Sequence, residues 1–163
     1  MQTLHRLSER PDPLLTIVVP CFQEEQTIPE FHKRITRVVR CLPVSCEILY
    51  IDDGSNDRTA DLLRHYQDGS DVRCLFLSRN FGKEAALSAG IDHARGSALI
   101  FIDVDLQDPP ELITSMVHHW QMGYDVVNMQ RDLRTGDSLL KRMSARSYYW
   151  IMQRLVEKVD LPA

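Results

Sequence analysis

A chain of 163 residues with 44% hydrophobic and 26% charged side chains has the material for one buried core and the balance of an ordinary globular domain. Its formal net charge of -4 excludes a general nucleic-acid binder, which needs a basic excess, and it contains no apolar run of the roughly 18 residues that a membrane-spanning helix requires. Cys21, Cys41, Cys46 and Cys74 form no CxxC pair and stand with no histidine at zinc-finger spacing, so reduced thiols are expected rather than a disulfide framework.

Residues 1–13, MQTLHRLSERPDP, are polar and read as a flexible leader, with one domain over 14–163. LLTIVVP (14–20) is an apolar, β-branched run ending at a proline, the pattern of a buried strand. A helix is expected from about Thr27, with Thr27 as N-cap, Glu30 as its capping-box partner, Pro29 in the first turn, and Phe31, Ile35, Val38 and Val39 on one face. CEILYIDD (46–53) is a second strand, after which Gly54 turns the chain into a helix capped by Asn56 or Asp57. VRCLFLS (72–78) is a third strand, followed by an Ala- and Leu-rich helix from about Lys83 to Ala94 that stops before Gly96. SALIFIDVD (97–105) is a fourth strand, and Pro109 and Pro110 start a helix to about Met122. YDVVNMQ (124–130) reads as a fifth strand, and 138–158 as a long basic helix carrying Tyr148, Tyr149 and Trp150. The abrupt stop at VDLPA suggests a piece cut from a longer chain.

Strands alternating with helices through short connections predict βαβ units: an α/β fold with a mainly parallel sheet covered by helices on both faces. In open sheets of this kind, ligands bind beyond the carboxyl ends of the strands. The polar clusters fall at those ends: PCFQEE after the first strand, DDGSND after the second, SRNFGK after the third and DVDLQD after the fourth. One shared site explains that placement.

Each cluster has a chemistry and a plainer alternative. Asp103 and Asp105, two apart in an extended chain, can converge on one point, and with the amide oxygen of Gln107 they suit a hard divalent cation, Mg2+ or Mn2+. Asp108 reads better as the cap of the following helix. Asp52 and Asp53, at the end of a buried strand, can accept hydrogen bonds from a base or a ribose, or make an Asx turn. Glu24 and Glu25 can orient a sugar or a base, or form an exposed loop pair. Arg79 and Lys83 flank Gly82 and can meet a diphosphate at a helix N-terminus, or serve as surface charges. The absence of GxGxxG, GxxxxGKS/T and GxSxG disfavours a dinucleotide dehydrogenase, a P-loop NTPase and a serine hydrolase. From Arg131 to Lys158 seven basic residues face three acidic ones, a local net of +4 that leaves -8 elsewhere; such a segment is either a solvated helix face or a surface for phosphates and anionic membranes.

Taken in register, VVPCFQEEQTI, IDDGSNDRT, LSRNFGKEAALSAG and DVDLQDPPE resemble the family-2 glycosyltransferases of GT-A (Rossmann-like) fold, and within them the polyprenyl-phosphate branch that includes dolichyl-phosphate mannose synthases and bacterial undecaprenyl- and bactoprenol-phosphate glycosyltransferases. The resemblance runs from about Leu15 to the end of the chain. It implies an inverting, metal-dependent, hexosyltransferase-type enzyme that moves a sugar from a nucleotide-diphosphate sugar, UDP-linked by preference with GDP-mannose open, to a polyprenyl phosphate lipid in cell-envelope glycan or lipid modification. Pro20, Phe22, Glu24, Ile51, Asp53, Arg79, Lys83, Asp103 and Val104 then correspond to nucleotide-sugar contacts, and Asp103, Asp105 and Gln107 to the metal site. Arg131, Lys141 and Arg142 correspond to the acceptor-phosphate site, with Asp105, Arg131 and Lys141 the catalytic set and Arg134 and Asp137 in the same basic loop. The resemblance further implies a membrane surface as partner, the cytoplasmic face of the bacterial inner membrane as location and transmembrane helices further along a longer protein, and it leaves a homo-oligomer open. Relatives of this branch carry further site residues, including a DFRL-like segment, that this sequence does not contain, so weak turnover beside intact nucleotide binding is expected. A saccharide-acceptor transferase and a nucleotide-binding domain without catalysis are the competing expectations.

Overall fold

The computed structural model describes residues 15–67 and 71–129, and within them strands and helices alternate along the chain. The order is β1 (Leu15–Cys21), α1 (Ile28–Arg40), β2 (Cys46–Asp52), α2 (Thr59–Tyr66), β3 (Val72–Phe76), α3 (Lys83–His93), β4 (Ala98–Phe101) and α4 (Leu112–Gln121). The strands pair in parallel in the order β3-β2-β1-β4. Leu15–Cys21 pairs with Cys46–Asp52 on one side, and Leu15–Val18 with Ala98–Phe101 on the other. Parallel pairing needs a crossover between successive strands, which the helices supply, and it brings every strand's carboxyl end to the same edge.

Alternation along β1 sends Leu15, Ile17, Val19 and Cys21 into the larger core with Phe31 and Ile35 of α1, Leu63 of α2 and Ile113 and Val117 of α4. The opposite face sends Val18, with Leu49 and Ile51 of β2, against Ala86 of α3. The sheet is therefore covered on both faces, as expected. The α3 face is thin because that helix lies close: a Cβ on Gly90 would sit 2.4 Å from Cγ1 of Val18. At the amino-terminal edge, fully buried Glu47 accepts hydrogen bonds from Thr16 Oγ1 (2.9 Å), the Arg95 N–H (2.9 Å) and Arg73 Nη1 (3.0 Å), so its charge is compensated.

Three local expectations are corrected. Thr27 precedes α1 but sits in a helical conformation (φ -91°, ψ -36°) and its side chain makes no cap bond. The Thr27 and Ile28 N–H groups both bond to the Glu24 carbonyl, so the chain has already turned before the cap position is reached. The helix after the proline pair starts at Leu112, with Glu111 rather than Asp108 at its N-cap. Residues 124–129 make no ladder and are not a fifth strand, and Val126 is 84% exposed. β-branched residues supply the propensity, but a strand exists only where a neighbour takes up its N–H and C=O groups. The leader, the basic helix of 138–158 and the aromatics Tyr148, Tyr149 and Trp150 lie outside the described residues.

Candidate functional site

The four post-strand loops meet at the carboxyl edge of the sheet around a cleft of about 300 Å³. Pro20, Cys21, Phe22 and Glu24 come from the end of β1 and its loop, Asp53 from the end of β2, Asn80, Gly82, Lys83 and Ala86 from the loop after β3 and the start of α3, and Asp103, Val104 and Asp105 from the loop after β4. The volume lies at the small end of the range for ligand sites.

The first two loops are zipped together backbone to side chain. The Gln23 N–H donates to Ser55 Oγ (2.9 Å), the Glu24 N–H to Thr59 Oγ1 (2.8 Å) and the Glu25 N–H to Asp57 Oδ2 (3.3 Å). In return the Arg58 N–H donates to Glu25 Oε2 (3.0 Å), and Asp57 Oδ1 accepts the Thr59 N–H at the start of α2 (3.0 Å). Glu25 is thereby tied into the scaffold, while Glu24 keeps its side chain toward the cleft. The hydrogen bonds to Asp57 outweigh the cost of its partial burial and hold its carboxyl below the usual range.

Asp53 joins the second loop to the third. Only 3% exposed, it accepts the Phe81 N–H at Oδ1 (2.8 Å) and the Gly82 N–H at Oδ2 (2.9 Å). The third loop can come this close because Gly54 follows: at φ +69° it takes a conformation other residues avoid, and a Cβ there would stand 2.4 Å from the carbonyl carbon of Arg79. Beneath the cleft, burial and then the neighbouring Asp52 push the Cys21 thiol well above its ordinary pKa, so it is protonated and inert there.

The acidic loop is a turn, not the end of a strand. β4 stops at Phe101, and after the Ile102 N–H bonds to Val18 O (3.2 Å) the ladder with β1 is finished. The chain folds around buried Val104, which leaves Asp103 and Asp105 on the cleft to either side of it. They converge through this turn and not through strand alternation. Asp105 Oδ1 accepts the Gln107 N–H (3.0 Å) across Leu106, whose φ is +60°. Asp103 Oδ2 meets Lys83 Nζ at 2.7 Å. On the far side of the loop, Arg34 of α1 grips Glu111 through Nε (3.1 Å) and Nη2 (2.6 Å), and that bond holds the Glu111 carboxyl below its usual range. The hard oxygens of Asp103 and Asp105 suit Mg2+ or Mn2+, ions that take one or two protein carboxylates and fill the remaining positions with phosphate oxygens and water. Among the described residues no group of three or more His, Cys, Asp or Glu side chains is placed to hold a metal ion.

Of the expected site residues, Pro20, Phe22, Glu24, Asp53, Lys83, Asp103, Val104 and Asp105 share the cleft. Ile51 does not: it is fully buried and packs against Ala86 with Val18 and Leu49. Arg79 turns away, its guanidinium lying 4.3 Å over the Phe81 ring, and Gln107 is not among the lining residues. Arg131, Arg134, Asp137, Lys141 and Arg142 lie outside the described residues. Sequence reasoning missed Asn80, Ser55 and Thr59; Asn80 and Ser55 sit in the polar clusters already singled out and Thr59 two residues beyond one, but their roles depend on which loops meet.

Residues 16–161 match the profile of glycosyl transferase family 2. The chain is 42% identical to a bactoprenol glucosyl transferase of Shigella phage SfV over 91% of its own length and 47% of the phage protein. It is 39% identical to the undecaprenyl-phosphate 4-deoxy-4-formamido-L-arabinose transferase of Pseudomonas fluorescens over 86% of its length and 41% of that protein. It thus spans less than half the length of these curated relatives. Among solved structures, the glucosyl-3-phosphoglycerate synthase of Mycobacterium tuberculosis in complex with UDP superposes with a TM-score of 0.60 at 20% identity, covering 87% of this chain and 51% of that one, which shows the shared fold.

Proposed function

The chain belongs to glycosyl transferase family 2, and from that premise we propose that it holds the nucleotide-sugar half of an inverting, metal-dependent transferase whose acceptor is a polyprenyl phosphate. The observation that carries this reading is the cleft itself, where loops from all four strands present Phe22, Glu24, Asp53, Lys83, Asp103 and Asp105 to one space. Phe22 offers an apolar plane and Glu24 a carboxylate for a base or a sugar, and Lys83 is a cation within reach of a diphosphate. The names of the relatives, bactoprenol glucosyl transferase and undecaprenyl-phosphate 4-deoxy-4-formamido-L-arabinose transferase, support the lipid phosphate as acceptor; for the donor we take a UDP-linked sugar ahead of GDP-mannose.

In this reading Asp103 and Asp105 are the residues that would hold Mg2+ or Mn2+, and such an ion, when bound, would supply positive charge for the leaving diphosphate. A phosphate oxygen of the lipid attacks the anomeric carbon from the side opposite the diphosphate; the bond to the nucleotide breaks, its electron pair leaves with the nucleoside diphosphate, and the configuration inverts. The acceptor is anionic at neutral pH, so no strong general base is needed, unlike a transfer to a hydroxyl. Arg131, Lys141 and Arg142 are the residues we assign to the acceptor phosphate, and the basic stretch around them to the cytoplasmic face of a membrane. Among the described residues no helix is long and apolar enough to cross a membrane. The test is transfer of labelled sugar from UDP-glucose, other UDP-sugars and GDP-mannose to undecaprenyl phosphate or to a free saccharide. Label in the lipid with a UDP-sugar supports the assignment; label only in the saccharide, or no binding of any of these nucleotide sugars, contradicts it.

A further inference from the structure

The charges around the cleft are lopsided. Glu24, Asp53, Asp103 and Asp105 line it, and among the described residues Lys83 is the one basic side chain that does so, because Arg79 is stacked on Phe81. That lysine is spent on Asp103, at 2.7 Å. A nucleoside diphosphate entering alone meets four carboxylates and a cation already in use. A divalent ion entering alone meets a carboxylate whose Oδ2 is held by an ammonium group, and it is repelled by that group's charge.

We infer that Lys83 is a stand-in cation for the acidic loop, neutralising Asp103 until a metal–diphosphate complex arrives and then moving from the carboxylate onto the diphosphate. Metal and nucleotide therefore bind as one unit, each greatly strengthening the other. The inference rests on the nucleotide-sugar reading above and adds to it the order of assembly and the residue that sets it. The pair is built for exchange. Its side chains are 55% and 41% exposed, so water competes with the ion pair and it contributes little to holding the fold. A lysine carries a compact charge on a flexible stem and can change partners by rotation, without the fixed fork that would bind an arginine to one carboxylate. Lys83 is also the first residue of α3, whose preceding loop is anchored by Asp53, so only the side chain has to move.

Titrations of the 163-residue chain with Mn2+, following free Mn2+ by electron paramagnetic resonance with and without UDP, test this. Losing a charge-assisted bond of this class changes a binding constant by about tenfold. Lys83→Gln is expected to bind Mn2+ alone about tenfold more tightly than wild type and to bind UDP in the presence of Mn2+ about tenfold more weakly. With binding of UDP alone unchanged, the factor by which each ligand strengthens the other, which must be the same in both directions, then falls by about tenfold. Lys83→Arg keeps the charge but brings the fixed fork, so it restores the weak binding of Mn2+ alone and only part of that factor. Mn2+ binding in Lys83→Gln that is no tighter than in wild type, with the mutual strengthening intact, overturns the inference while leaving the nucleotide reading in place. A wild-type chain that binds no UDP with Mn2+ contradicts the nucleotide reading, and this inference falls with it.

Discussion

Asp53→Asn separates a residue that reads a base from one that braces the site. Both carboxylate oxygens accept backbone N–H groups, from Phe81 at 2.8 Å and Gly82 at 2.9 Å, and the side chain is 3% exposed. Asparagine has the same shape but turns one acceptor into a donor, so one N–H faces an NH2 group and the other loses a charged acceptor. A buried donor left without a partner costs ~1–3 kcal/mol, and the surviving bond drops to about half its strength. Water can reach part of this loop, so the lower half of that range applies, a loss of about 2 kcal/mol. For a chain of this size that lowers the melting temperature by roughly 4–8 °C. Thermal and urea unfolding of the two proteins measure it. The loop that carries Asn80, Gly82 and Lys83 loosens at the same time, so UDP binding with Mn2+ weakens as well. A variant as stable as wild type to within ~0.5 kcal/mol, with only UDP binding reduced, would refute the bracing role and return Asp53 to the base.

Gly54→Ala should cost more, about 3 kcal/mol, because a positive φ and a backbone clash add together; the new Cβ lies 2.4 Å from the Arg79 carbonyl carbon at φ +69°. Urea unfolding checks it, and a loss below ~1 kcal/mol would mean that the third loop does not cross the second as described. Alkaline pH should also destabilise the fold. Burial pushes Cys46 up to about 11 and Cys74 up to about 12 from an ordinary 9.0, and raises Cys21 and Tyr50 too. The unfolded chain releases these protons first, so stability is full below pH 9.0 and falls as pH climbs toward 11–12. A urea midpoint that stays flat or rises from pH 9.0 to 11 would contradict this burial.

Much of the site was legible because parallel strands, buried on both faces, write themselves as apolar runs, and because the polar clusters stood at their ends. What failed was information that no single segment carries. The Thr27 capping box fits its sequence pattern, yet the Glu24 carbonyl has already turned the chain. Residues 124–129 have the composition of a strand, but composition cannot report whether a sheet edge pairs with them. The alternation argument for Asp103 and Asp105 assumed an extended chain, whereas the ladder with β1 ends two residues before Asp103. Ile51 stands two residues before Asp53 and lies deep under α3, a difference in depth that spacing does not encode. The Lys83–Asp103 pair and the zipper of Ser55, Asp57 and Thr59 join positions 20 to 35 residues apart, and only the folded loops bring them together.

Asp103 and Asp105 are proposed to hold a metal together with a nucleoside diphosphate. Calorimetric titration of UDP into wild type and Asp105→Asn, each with Mn2+ and then with EDTA, tests it most directly. Asp105 is exposed and its one hydrogen bond among the described residues, from the Gln107 N–H, can survive as asparagine, so the variant should fold as wild type does. The account predicts saturable UDP binding by wild type in Mn2+, lost in EDTA and lost in Asp105→Asn. UDP binding of equal strength in EDTA, or undiminished in the variant, would contradict it.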